Sequence, residues 1–143
     1  MYVVDASVWV ARFVSTDAFH APSRIWFRSL NESDMLIVGP TLLLPELASA
    51  VSRRTGRPEL AAAALSRLER IRRLRLVSLD PQLARLAGNL AGQLRLSGAD
   101  AVYASLAQIL RLPLVTWDDE QRRRAAATVQ AVTPAQLLAG PIP

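Results

Sequence analysis

The chain has 143 residues, a mass of 15.6 kDa, 51% hydrophobic residues and a mean hydropathy of +0.20, which supports a sizeable core and excludes a disordered chain. With no cysteine and a single histidine, His20, disulfides, thiolate sites and a multi-histidine zinc centre are excluded, so any metal must be held by carboxylates and other oxygens. All 17 basic residues are arginine against 12 acids, a net charge of +5 that suits nucleic acid or another acidic partner; genomic base composition would produce the same bias.

In chain order, Tyr2–Val4 reads as a short buried strand, and VVDASVWV as a continuation that delivers Asp5, with the hydroxyl of Ser7 two positions on. This start lacks a basic region and carries Asp5 where a signal peptide needs an apolar core, so it does not read as one. His20, in the polar stretch STDAFH, reads as an exposed or capping residue. Helical spacing covers residues 21–30, a strand covers 35–38, and Gly39-Pro40 closes it. A helix is expected over 41–54, within which LLLPELASAV carries Glu46 on an apolar side. Pro40, Pro45 and Glu46 interrupt the richest apolar segment, so no stretch reaches the roughly 18–20 residues of a membrane span.

Gly56-Arg57-Pro58 then separates a second helix, expected over 58–73, from the first, and a strand is expected over 76–79. Asp80-Pro81 places a cap and a first-turn proline together before the helix Pro81–Leu94, and Ser97-Gly98 does similar duty before a helix over 99–110. A strand over 114–116 leads to Asp118, a helix covers 119–126, and a last strand covers 129–132. Thr133-Pro134 opens a short final helix, and residues 140–143 read as a frayed tail. Strands alternating with helices predict an α/β chain: a three-layer α/β/α sandwich around a mainly parallel sheet of about five short strands. The whole of 1–143 reads as one domain of a soluble, cytoplasmic protein.

Four of the acids stand where a carboxylate is awkward. Asp5 and Asp118 end apolar strands, Glu46 lies in an apolar helix, and Asp100 opens GADAVYASLAQIL on one face with Tyr103, Ala104 and Ala107. Ligands of parallel sheets gather at the carboxyl ends of the strands, where Asp5 and Asp118 stand. An apolar setting makes a carboxylate protonate or find a cation, and the candidates here are a helix N-terminus, an arginine or a divalent metal. Capping explains Asp118 and Asp119 well, Asp100 fairly and Glu46 poorly. Acids that converge imply a bound cation; acids that stay apart need none, and spacing leaves both open.

These motifs resemble the PIN-domain ribonucleases, and especially the VapC-type toxins of bacterial toxin–antitoxin pairs. VVDASVWV is similar to the family's first motif, LLLPELASAV to its second, and GADAVYASLAQILRLPLVTWDDEQ to the third and fourth, ending in T-x-D at Asp118; VQAVTPAQLL is similar to the family's end. Ser49 stands where the family often has asparagine, and Trp117 fills the variable position of T-x-D. The resemblance implies a PIN fold and hydrolysis of RNA phosphodiester bonds assisted by one or two Mg2+ or Mn2+ ions. Asp5, Asp100 and Asp118 would contact metal, and Glu46 would position a water or the nucleophile. Ser7 and Thr116 would hold neighbouring carboxylates, and Asp119 is a second candidate for the fourth acid. Arg12 and Arg122, the latter in the run Arg122-Arg123-Arg124, are the phosphate-contact candidates; the alternative is a solvated helix face, the preferred reading for the triple run. Trp117 would stack a base or pack in the core, and Trp9 and Trp26 belong to the core or a subunit contact. The resemblance also implies a homodimer and a VapB-type antitoxin that covers the acidic pocket.

A haloacid-dehalogenase-type phosphatase expects a second aspartate where this chain has Ser7, and a receiver domain expects a lysine that this chain lacks. The competing reading is a PIN-fold module without activity that serves as a binding or scaffold protein.

Overall fold

The computed structural model describes residues 1–140; positions 141–143 of the expected frayed tail lie outside the described residues. Five strands, β1 (Tyr2–Val4), β2 (Ile37–Pro40), β3 (Leu74–Val77), β4 (Leu114–Val115) and β5 (Ala131–Val132), form one sheet in the order β3-β2-β1-β4-β5. Every pairing is parallel, where a mainly parallel sheet was expected. The chain steps from β1 through β2 to β3 on one side, then returns to β4 and β5 on the other. The order therefore reverses between β1 and β4, and the crevice at their carboxyl ends is the natural ligand position of such a sheet.

Eight helices connect and flank the strands among the described residues: α1 (Ala6–Phe13), α2 (His20–Glu32), α3 (Leu43–Thr55), α4 (Pro58–Glu69), α5 (Pro81–Leu94), α6 (Gly98–Leu110), α7 (Asp119–Ala125) and α8 (Pro134–Leu138). With this strand order, the right-handed rule for parallel crossovers assigns α1–α4 to one face and α5–α7 to the other, and the packing of α1 on α2 and α3, of α3 on α4 and of α5 and α7 on α6 agrees. Each helix that follows a strand directly starts at the carboxyl edge of the sheet.

The stretch VVDASVWV is a strand only as far as Val4. Asp5 caps a helix instead, because its carboxylate accepts from the Ser7 backbone N–H at 2.9 Å. Five of the eight residues of α1 are buried, so its helical period is hidden within a nearly continuous apolar run. Elsewhere the elements shift by a few residues: β2 and β3 begin at Ile37 and Leu74, α3 begins at Leu43, and α4 stops at Glu69. Gly56 at φ 67° supplies the left-handed residue that ends α3, as the Gly-Arg-Pro punctuation implies.

Trp9 and Trp26 are both core residues, and neither offers a subunit contact. Trp9 packs on Phe27 at a ring separation of 4.5 Å, Trp26 lies 5.1 Å from the same ring, and Tyr2 meets Trp26 edge-on at 5.8 Å. His20 begins α2 and sets its Nδ1 2.8 Å from the Ala11 carbonyl, which joins α2 to the otherwise open end of α1. On α3 the fully buried Leu43, Leu47 and Val51 lie at i, i+4, i+8 and form the inner face of that helix, which packs on α1 and α4. Leu47→Ala is expected to cost about 2–5 kcal/mol of stability, read as a lower urea midpoint at unchanged slope. A change under about 1 kcal/mol would show that α3 is not anchored through this residue.

Candidate active site

At the β1/β4 reversal the sheet presents Asp5 and Thr116 side by side, since Val4 pairs with Val115 and the Asp5 N–H bonds the Val115 carbonyl at 2.9 Å. The buried Asp5 carboxylate collects three kinds of donor. Oδ2 accepts from the Ser7 N–H at 2.9 Å and from the Thr116 hydroxyl at 3.3 Å, and Oδ1 accepts from the Gln121 amide at 3.2 Å. A hydroxyl has one proton, so Thr116, which donates to Asp5, must accept from Ser7 at 3.3 Å and from the Asp118 N–H at 2.9 Å. Ser7 in turn accepts from the Trp117 N–H at 3.0 Å. The chain Trp117–Ser7–Thr116–Asp5 therefore locks the two strand ends together and aims the Asp5 carboxylate.

Three more acids reach the same cleft, of about 680 Å³: Glu46 from α3, Asp100 from α6 and Asp118 from the start of α7. Each stands at a helix N-terminus. Asp118 caps α7 and accepts from the Gln121 N–H at 2.8 Å. Asp100 lies in the first turn of α6, where Ser97 donates its hydroxyl to Oδ2 at 2.7 Å and accepts the Asp100 N–H at 3.1 Å. Glu46 lies in the first turn of α3 because that helix begins at Leu43, two residues later than expected, and it accepts from the Tyr103 hydroxyl at 2.7 Å. Helix N-termini thus offset the acids in part.

The offset is incomplete. Burial pushes the Asp5 carboxyl up against the pull of its donors. Glu46 is raised by burial first and then by Asp5 and Asp100, and Asp100 by burial first and then by Asp5 and Asp118. The ion pairs among the described residues use none of these four acids. Four carboxylates, hydroxyls and an amide make a set of hard oxygen donors, which fits Mg2+ or Mn2+ and no softer ion. The buried Gln121 Oε1, beside Asp5, has no hydrogen-bond partner and adds a further oxygen of that kind. No group of three acids among the described residues is drawn close enough to share one ion as the side chains stand.

Residues 2–127 match the profile of the PIN domain. The chain belongs to the PIN domain family. Among solved structures it is similar to VapC20 of Mycobacterium tuberculosis, a Sarcin-Ricin loop cleaving toxin, with 21% identity and a TM-score of 0.74 over 91% of this chain and 98% of that one. PAE2754 from Pyrobaculum aerophilum shares 27% identity with a TM-score of 0.66 over 96% and 86% of the two chains. A chain of a toxin–antitoxin complex from Klebsiella pneumoniae shares 17% identity with a TM-score of 0.65 over 94% and 98%. No curated protein matches.

Within this PIN domain, Asp5, Ser7, Glu46, Asp100 and Asp118 line one cleft, with Thr116 buried beneath it. Asp119 does not line the cleft: it turns outward on α7 and pairs with Arg122 and Arg123, which lower its pKa. Arg122 is thereby engaged on the outer face of α7, and Arg12 lines a separate cleft. Trp117 is held by the protein, its Nε1 donating to Ser23 at 2.8 Å and its ring stacked on Phe19 at 4.3 Å. Sequence reasoning gives Tyr103, Gln121, Ser97 and Arg53 no place in the site, although Ser97 is expected to cap its helix. Tyr103 shares a helical face with Asp100, and Asp118-x-x-Gln121 has the spacing of a capping box, so both carried a signal. Ser49, where the family often has asparagine, receives Arg53 Nη1 at 2.8 Å and holds that cation at the cleft wall.

The raised carboxyls set a direction for stability. A native pKa above the unfolded one gives stability that is complete below the unfolded value and lost as pH rises through the native value. Glu46→Gln, which keeps an acceptor for Tyr103, is therefore expected to raise the melting temperature in EDTA by about 2–4 °C near pH 7.5 and by less near pH 5. Thermal melts at both pH values test this, and an equal or lower melting temperature near pH 7.5 refutes a net cost of burying the Glu46 charge beside the other acids.

Proposed function

We propose that this PIN domain is a Mg2+- or Mn2+-dependent endoribonuclease, the toxin of a toxin–antitoxin pair, neutralised by a VapB-type partner. The observation that carries the reading is the convergence of Asp5, Glu46, Asp100 and Asp118 on one cleft without an arginine partner, a charge arrangement that a bound cation relieves. When bound, such an ion neutralises the acids, stabilises charge building on a phosphate and makes water a better nucleophile near neutral pH. Asp5, Asp100 and Asp118 would hold it, with Ser7, Thr116, Ser97 and Gln121 fixing the carboxylates.

Glu46, held by Tyr103, would orient the attacking water, and Arg53 at the wall would meet the substrate backbone. Setting the four acids aside, the remaining charge is +9, which favours an approach by RNA. Support comes from VapC20, a toxin that cleaves the Sarcin-Ricin loop, and from the toxin–antitoxin complex of Klebsiella pneumoniae. A soluble, cytoplasmic homodimer is part of the same reading; no helix among the described residues is long and apolar enough to cross a membrane. The absence of a preformed three-acid cluster among the described residues is the one observation that favours an inactive binding module instead.

The two readings part in one assay. Purified, antitoxin-free protein is expected to cleave RNA with Mg2+ or Mn2+, to stop with EDTA, and to lose at least about 100-fold in rate in Asp5→Ala. Cleavage that survives both chelation and the substitution would refute the metal-dependent mechanism. Intact RNA with the folded wild type in both ions would leave the binding module standing.

A further inference from the structure

A second cleft, of about 270 Å³, is lined by Arg12 of α1, by Arg24, Phe27, Arg28 and Asn31 of α2, and by Arg67 of α4. The α2 members recur at i, i+3, i+4 and i+7 and so form one stripe of that helix. The ion pairs among the described residues use other arginines, so these four cations share a cleft with no carboxylate partner. Arg12 is half-buried, and burial first, then Arg67 and Arg24, push its guanidinium down from its ordinary value.

Aromatic rings support the charges. Arg12 Cζ lies 4.4 Å from the Phe27 ring centroid and 5.9 Å from that of Phe13, and Arg67 Cζ lies 5.1 Å from the Phe13 ring. A ring face stabilises a guanidinium without neutralising it, and leaves its planar N–H fork able to take an anion.

We propose that this cleft is an oxyanion site that grips the phosphodiester backbone of a single-stranded RNA whose scissile bond lies at the acids. The proposal rests on the ribonuclease reading, because α1 connects the two clefts. Asp5 caps its start and Arg12 stands in its last turn, seven residues and about 10 Å further along the axis. The clefts open on different sides of α1, Ser7 and Val10 lining the first and Arg12 the second, so a strand leaving the acids crosses over this helix to bring its next phosphates to the arginines. Phosphates repeat with every nucleotide, and four forks spread over three helices match a series of them. A protein segment with one or two carboxylates would leave part of the cluster unneutralised.

The test is fluorescence anisotropy of a labelled 12-nucleotide single-stranded RNA with the full chain in EDTA, from 50 to 300 mM KCl. Arg24→Ala/Arg28→Ala removes two exposed cations of the cleft. It is expected to weaken binding about tenfold at 100 mM KCl and to reduce the slope of log K against log salt by about 1.4, the share of two phosphates on a single strand. The charge-matched Arg57→Ala/Arg85→Ala, on α4's cap and on α5, is expected to keep the wild-type slope. Equal losses in the two variants would reduce the effect to net charge and overturn the site. Unchanged RNA binding in the cleft variant, with loss of binding to a labelled polyglutamate peptide, would overturn it in favour of an acidic protein partner. Circular dichroism melts establish that each variant folds. Because binding is read in EDTA, a wild type that binds RNA here and never cleaves it with Mg2+ overturns the ribonuclease reading alone.

Discussion

Asp5 is the constraint around which this fold is arranged. A carboxylate at the end of a buried central strand is costly unless donors surround it, and the chain supplies them from three places: the first turn of α1, the end of β4 and the inner face of α7. Each donor fixes something else. The Ser7 N–H requires the chain to turn into a helix directly after β1. Thr116 requires β4 to end level with β1. Gln121 requires α7 to fold back over the same edge. A parallel sheet makes this possible, because every strand-to-helix turn lies on one edge, where the first turns of α1 and α3 and the cap of α7 line the same crevice.

The other three acids use the same device, which is why they can coexist. Asp118 is tied to the Gln121 backbone N–H of its own helix, Asp100 to the hydroxyl of Ser97 that caps its helix, and Glu46 to a phenol that α6 brings across the sheet. These bonds hold the carboxylates apart while leaving them in one cleft. Burial, and after it repulsion among them, therefore remains a standing cost, and both raise the carboxyls of Glu46 and Asp100. Strain of this kind at a cleft is what a stabilising substitution would remove, together with the cation affinity proposed for the site.

Much of this was legible in the sequence, and the exceptions have physical reasons. Asp5 and Asp118 stand out because an acid at the end of an apolar run is rare, and Gly56 and Pro81 mark helix ends by backbone chemistry that acts locally. The helix α1 was hidden because Val8, Trp9 and Val10 are buried on most sides, which erases the 3.6-residue period and imitates a strand. The late start of α3 also escaped, since Thr41 and Leu42 suit a helix, whereas Thr41 instead bonds β3 and the turn after it through its N–H and hydroxyl. Asp119 and Arg122 lie next to true cleft residues in sequence, yet a helix turns successive side chains by about 100°, so neighbours face different ways. For Gln121 the local spacing announces only its place in the cap of α7; its other partner, Asp5, is at the far end of the chain, and no local pattern announces a pairing across the sheet.

The distribution of the arginines follows from the same electrostatics. An arginine reaching the acids would neutralise them and leave no vacancy for a cation. Arg54, at the cleft wall, is instead drawn to Asp17, and Arg53 is turned to Ser49. Arg12, on the helix that Asp5 caps, points to a different cleft and rests on aromatic rings rather than on a carboxylate. Opposite charges that could pair are thus kept apart by α1, which is less stable than pairing them. Such a separation is sustained when the two poles meet different parts of one ligand, and the ligand proposed above, a polyanionic strand with a cation beneath its reacting phosphate, would satisfy both at once.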